Sequence, residues 1–330
     1  MPVNFLSLML SIGPALEVVA YPKPGNVHRL RDFHDTRFED FIITSLVFVP
    51  FMARCIKRGY RGKYGKVLVG DLIYGIVKNS MEIHGGGNTC LGTSTLLVPI
   101  ALSLGHLLRM SRRIDIKTLA KVSSNLVKRY STVLDSIYFY KAIRFIKPSY
   151  LSPKDKTNGF PNVFSGRYRK ELFTKNIRLW DVLQVSARVD IVSKEVVEGY
   201  PITLKATSFL KRRLSEGIDW NYAVIDTYLY VLSTTRDTLV MRKHGKEVMD
   251  YISMKAREIL EVGGSSTLKG FNLLRKFDEE LGSKNINPGA SADIVATSIS
   301  LHALTIGRNI IRLRPINITE TLLLKSLAKL

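Results

Sequence analysis

Acidic residues are scarce in this chain beside basic ones: 28 Asp and Glu stand against 49 Lys and Arg in 330 residues, a formal net charge of +21. That excess attracts polyanions, whether nucleic acid, acidic lipid or a substrate carrying several phosphates. Cysteine is scarcer still. Cys55 and Cys90 are the only two, without CxxC spacing, which argues against a disulfide scaffold or a Cys-rich zinc site and suits a reducing cytosol. No basic region precedes the first apolar stretch, and Pro14 and Glu17 interrupt it, so a secretory signal is not expected. No apolar run reaches the ~20 residues that a spanning helix needs. Residues 41–55 are too few and contain Pro50, while 91–108 carry Gly92, Thr93, Ser94 and Thr95, so both read as buried core helices and no membrane partner is expected. Period-two runs are scarce and none is joined by a hairpin turn, which favours an all-α fold over α/β. Walker A, HExxH and GxSxG patterns are missing as well.

What is present is helical periodicity in a globular composition, 45% hydrophobic and 23% charged. Phe5, Leu8, Met9, Ile12, Leu16 and Val19 recur at spacings of three and four, predicting a first helix that ends before Pro22. The same spacing predicts helices from Phe38 through Val49 and over 67–81, 89–110, 116–129, 135–146, 179–197, 203–215, 220–234, 238–262, 266–281, 289–306 and 319–328. Residues 147–177 differ: Pro148, Pro153, Gly159, Pro161 and Gly166 break any period while Lys and Arg accumulate. They read as a long basic loop inserted in a single large multi-helix domain spanning 1–330, since polar motifs lie on both sides of them.

Four polar motifs punctuate the helices. In the first, Pro22 and Pro24 stiffen the chain around Lys23, Gly25 permits a turn, and Asp35 and Glu39 follow four residues apart. At a helix start that spacing would put both carboxylates on one face, able to share a cation, or simply opposite the positive end of the helix dipole. In the second, Gly85, Gly86 and Gly87 precede Asn88 and Thr89 at a helix start, where free backbone N–H groups favour an anion. Asn88 or Thr89 would cap that helix in the plainer reading.

The third motif places Asp237 in an otherwise apolar helical region, five residues before Arg242. A charge there costs free energy without a partner or metal, and Arg242 supplies a planar fork suited to phosphate. A structural Asp–Arg pair is the alternative. In the fourth, Asn287 reads as a cap, Pro288 as the first helical residue, and Asp293 as a buried carboxylate beyond the slim run 289–292.

Taken in order, PKPGNV at 22–27, GGGNTCLGT at 85–93, DTLVMRKHG at 237–245 and NPGASAD at 287–293 resemble the triphosphoribosyl-dephospho-CoA synthase family, over about residues 14–305. Cys90-Leu91 and Asn26-Val27-His28 depart from the bacterial pattern and look like the archaeal branch. The resemblance implies an all-helical, cytoplasmic, Mg²⁺-assisted transferase. It would take ATP and join its triphosphoribosyl group to the 2′-hydroxyl of 3′-dephospho-CoA, or of a related acceptor, releasing adenine.

Under that reading Asp237, Asp293 and Glu39 supply the catalytic carboxylates, and Asp35, Glu39, Asp237 and Asp293 are the candidate metal ligands. Lys23, Gly25 and Arg242 face phosphates, and Gly86, Gly87, Asn88 and Thr89 line the nucleotide loop. A basic nucleic-acid-binding helical protein and a nucleotide N-glycosidic hydrolase are the competing readings of the same charge and motifs.

Overall fold

The computed structural model describes residues 3–110, 115–153, 159–307 and 310–311. Among these residues the chain is all-α, with fifteen helices and no strand. They are α1 (Val3–Val19), α2 (Phe38–Arg61), α3 (Gly70–His84), α4 (Leu91–Arg109), α5 (Ile116–Tyr130), α6 (Val133–Ile146), α7 (Tyr168–Thr174) and α8 (Leu179–Ser186). The second half holds α9 (Ile191–Glu198), α10 (Pro201–Ser215), α11 (Trp220–Thr234), α12 (Thr238–His244), α13 (Lys246–Glu261), α14 (Leu268–Ser283) and α15 (Gly289–Ile306).

α4 and α15 lie at the centre. α1 packs on α2 and α15, α2 on α4, and α10 and α11 on α15. Both central helices are apolar nearly all round, the composition of a helix buried on every side. Each is long and apolar enough to pass as a membrane span, yet 78% of the α4 window and 67% of the α15 window is buried inside the protein. They are core helices, as the interrupting polar residues of 91–108 indicate. Close approach has a cause: a Cβ on Gly59 would overlap the Leu102 carbonyl, and one on Gly105 the Ile56 carbonyl. α2 and α4 therefore touch backbone to backbone at two glycines.

Two long predicted helices are each divided. Gly245, at φ 87°, separates α12 from α13, and Asp190 starts α9 afresh by accepting from Ser193 N at 2.9 Å. The hydrophobic period runs on across both breaks, so periodicity alone does not reveal them. The basic segment 147–177 is not one unbroken loop, because α7 lies within it. Tyr168 and Leu172 of α7 are buried, and the Tyr168 ring stacks on Tyr140 of α6 with centroids 5.9 Å apart. The helix predicted over 319–328 lies outside the described residues.

Buried carboxylates knit helix starts that are far apart in sequence. Asp135, at the start of α6, accepts from Leu68, Val69 and Gly70 N at the start of α3 as well as from Thr132 N. Glu195 of α9 accepts from Ile202 and Thr203 N at 2.8 and 2.7 Å, capping α10. Each satisfies the N–H groups that a helix start leaves without partners.

Candidate functional site

Asp293 enters a cavity from the first turns of α15 and meets the first turn of α4 there. Its Oδ1 accepts from the Thr93 hydroxyl at 2.5 Å. A Cβ on Gly92 would overlap Oδ2, so only glycine lets the carboxylate lie against this helix start. The cavity has a volume of about 400 Å³ and is closed by Glu17 of α1, the 33–36 segment, Gly87 to Leu91, Lys147 to Tyr150, Lys243 of α12 and Asn287. All four sequence motifs contribute to it, together with the start of the basic segment.

Burial decides the electrostatics. Desolvation pushes the Asp293 carboxyl up to about 7; the Thr93 hydroxyl pulls the other way, and the negative Glu17 adds to the rise. A carboxyl poised near neutrality can accept or return a proton at working pH. Glu17 is itself buried and ion-paired with the fully buried Lys23, whose ammonium also donates to Glu17 O at 3.2 Å. Desolvation raises the Glu17 carboxyl and lowers the Lys23 ammonium, and each partner opposes the shift of the other.

The expected residues divide into those that reach the cavity and those that support it. Gly87, Asn88, Thr89, Asp35 and Asp293 line it. Lys23 lies behind Glu17, and a phosphate would have to displace that carboxylate to meet it. Gly25, at φ 69°, also lies behind, its N–H donating to Asp278 Oδ1 at 3.2 Å. The glycine loop does not offer free N–H groups at Gly86 and Gly87: the first donates to His84 Nδ1 at 2.9 Å, the second to the Asp35 carbonyl at 2.6 Å. Asn88 caps α4 through Cys90 and Leu91 N while also facing the cavity.

Asp35 and Glu39 do not share a helix face, because α2 begins only at Phe38 and leaves Asp35 in the preceding loop. Glu39 is exposed away from the cavity lining, and the buried carboxylate of this segment is Asp40, which accepts from Arg37 N at 2.8 Å.

Asp237 is buried and fully engaged. Oδ1 accepts from Leu239 and Val240 N, both at 3.0 Å, capping α12; Oδ2 accepts from Ser291 N and Oγ, both at 2.8 Å, at the start of α15. Desolvation still raises its carboxyl above the usual range. This arrangement also corrects the local reading of α15. Pro288 stands at the N-cap rather than in the first helical position, and Asn287 Oδ1 accepts from Asn26 Nδ2 at 3.1 Å instead of capping. The cap arrives from Asp237, 54 residues earlier.

A second compartment of about 270 Å³ shares Asp293 with the first as a lining residue. Arg242 borders it, paired with Asp190 at 3.0 Å and lying 4.7 Å from the centroid of the Tyr150 ring. Periodicity and motif spacing miss Glu17, Tyr150, Lys147 and Lys243 as cavity residues. Glu17 leaves a trace, a carboxylate in an otherwise apolar helix, whereas the lysines are lost among many others. Neither Lys147 nor Lys243 has an acidic partner within ion-pair distance among the described residues.

No group of three or more His, Cys, Asp or Glu side chains able to hold a metal converges among the described residues. Mg²⁺ that arrives on a polyphosphate needs just one or two protein carboxylates, a requirement the cavity's carboxylates fit. Asp35 is exposed and lines the cavity, where its carboxylate could face such an ion.

The family described as ATP:dephospho-CoA triphosphoribosyl transferase matches residues 5–310. Among solved structures, a protein of Archaeoglobus fulgidus assigned as a triphosphoribosyl-dephospho-CoA synthase is similar with a TM-score of 0.54 and 24% identity, over 76% of this chain and 95% of that one. Likeness at that identity bears on the fold.

Proposed function

This chain belongs to the ATP:dephospho-CoA triphosphoribosyl transferase family, and from that premise we propose how its own residues divide the work. The enzyme transfers the triphosphoribosyl group of ATP to dephospho-CoA. In our reading the cavity around Asp293 holds the triphosphoribosyl donor, with Lys147 and Lys243 facing its phosphates. Mg²⁺ on the triphosphate would neutralise part of its charge, with Asp35 at the rim as its protein ligand. The net charge of +21 then serves to draw a triphosphate inward.

The chemistry is displacement at the ribose C1′ of ATP. The 2′-oxygen of the acceptor forms a bond to C1′ while the bond from C1′ to the adenine nitrogen breaks, its electron pair leaving with the base. Asp293 accepts the hydroxyl proton, and that proton balances the one adenine takes up on leaving. Positive charge building on the ribose is met by Asp293 and by Glu17 behind it. The observation that carries this reading is the half-buried Asp293 carboxyl, raised to about 7 at the meeting point of two helix starts.

Incubation with ATP and Mg²⁺, with and without dephospho-CoA, tests it through free adenine. Release that depends on the acceptor is expected. Equal release without it would mark a hydrolase and overturn the transfer reading. The two buried, unpaired cysteines are in keeping with the reducing cytosol in which we place the reaction.

A further inference from the structure

We infer that the second compartment, which shares Asp293 with the triphosphate cavity, is the acceptor subsite and takes the adenosine end of dephospho-CoA. The inference rests on the transfer reading above and assigns the two substrates of that reaction to different compartments. Asp293, Asn88, Tyr150 and Leu239 line both spaces, so the compartments meet at the carboxylate that would take the acceptor proton. A displacement at C1′ requires the acceptor hydroxyl and the donor ribose to reach one point from two sides.

The chemistry of the walls assigns the sides. The larger cavity carries Lys147 and Lys243, two cations without acidic partners among the described residues, as a triphosphate needs. The smaller one is walled by Phe139, Ile143, Leu151, Val189 and Val192, and its cation, Arg242, is already paired with Asp190. Apolar walls suit a purine ring and do not suit three phosphates.

Size narrows the occupant further. About 270 Å³ falls just under the ~300–1,000 Å³ usual for a drug-sized ligand, room for a nucleoside but not for the whole of dephospho-CoA. Because the reacting 2′-hydroxyl belongs to the adenosine, that end must be the one beside Asp293. The pantetheine arm then leaves past Val189, which is 53% exposed at the mouth.

Val189→Trp fills the mouth from an exposed position and so leaves the core intact; Leu151→Trp is the second variant, from the basic segment that also lines the compartment. Calorimetric titration with dephospho-CoA and, separately, with ATP and Mg²⁺ reads binding without requiring turnover. Both variants are expected to weaken dephospho-CoA at least tenfold and to leave ATP within about twofold. Free 4′-phosphopantetheine should not displace dephospho-CoA from the wild-type protein. Unchanged dephospho-CoA affinity in both variants, weakening of ATP alone, or equal weakening of the two would overturn the assignment. The split in the two variants, together with wild-type protein that releases no adenine, would leave the subsite standing and refute the transfer reading instead.

Discussion

Gly92 and Asp293 occupy one space: the carboxylate of Asp293 lies where a side chain at Gly92 would begin. The first turn of α4 is thus bare to let a carboxyl approach its backbone and the Thr93 hydroxyl. Gly92→Ala must push Asp293 aside. A displacement of about 1 Å at a reacting group costs on the order of 100-fold in rate, so kcat should fall by that order while the helical circular-dichroism signal stays. Wild-type turnover in this variant would remove Asp293 from the chemistry.

Asp293 acts in its ionised form. With its carboxyl raised to about 7, kcat/KM should fall about tenfold per pH unit below that value and level off above it. Glu17→Gln removes a negative neighbour that raises Asp293, so the acid limb should move to lower pH. A pH–rate profile of both proteins checks the sign; an unmoved limb would separate Glu17 from the titration.

Stability runs the other way at the same residue. The folded state holds the Asp293 proton more tightly than the unfolded chain does. Its contribution is therefore present below the unfolded value near 4 and lost as pH rises through about 7. Asp293→Asn should be inactive and yet melt higher than wild type at pH 8, with the difference closing toward pH 4. Thermal melts at the two pH values decide it.

Lys23 is a buried counter-ion in this structure. Lys23→Met strands the Glu17 carboxylate and should cost about 3–5 kcal/mol in urea unfolding, whereas Lys23→Met with Glu17→Gln should recover most of it. Additive losses in that cycle would count against the pair.

Asp237→Ala removes two caps at once, leaving N–H groups of α12 and α15 without acceptors. A loss of about 2–4 kcal/mol is expected from equilibrium unfolding. An unchanged unfolding midpoint would show that solvent replaces the carboxylate and return Asp237 to the candidates for chemistry.

Much of this molecule is legible in its residues alone. The spacing of apolar side chains predicts α11 and α15 to the residue, because a helix face repeats locally and needs no distant partner. The order of four short polar motifs points to the family, and those motifs do converge on one cavity. Where two helices join at Gly245 or before Asp190, the same periodicity hides the break.

Tertiary structure alone decided which polar residue has which task. Lys23 and Asp237 look like site residues in sequence, but burial binds one to Glu17 and the other to two helix starts. Glu17, Lys147 and Lys243 look ordinary in sequence and stand at the cavity. The physical reason is that a motif specifies residue type and local turn, whereas desolvation and hydrogen-bond partners depend on what the rest of the chain brings alongside. Asp293 is raised to about 7 by burial in a site where its hydrogen-bond partner, Thr93, stands 200 residues away in the chain, and no local pattern contains that distance.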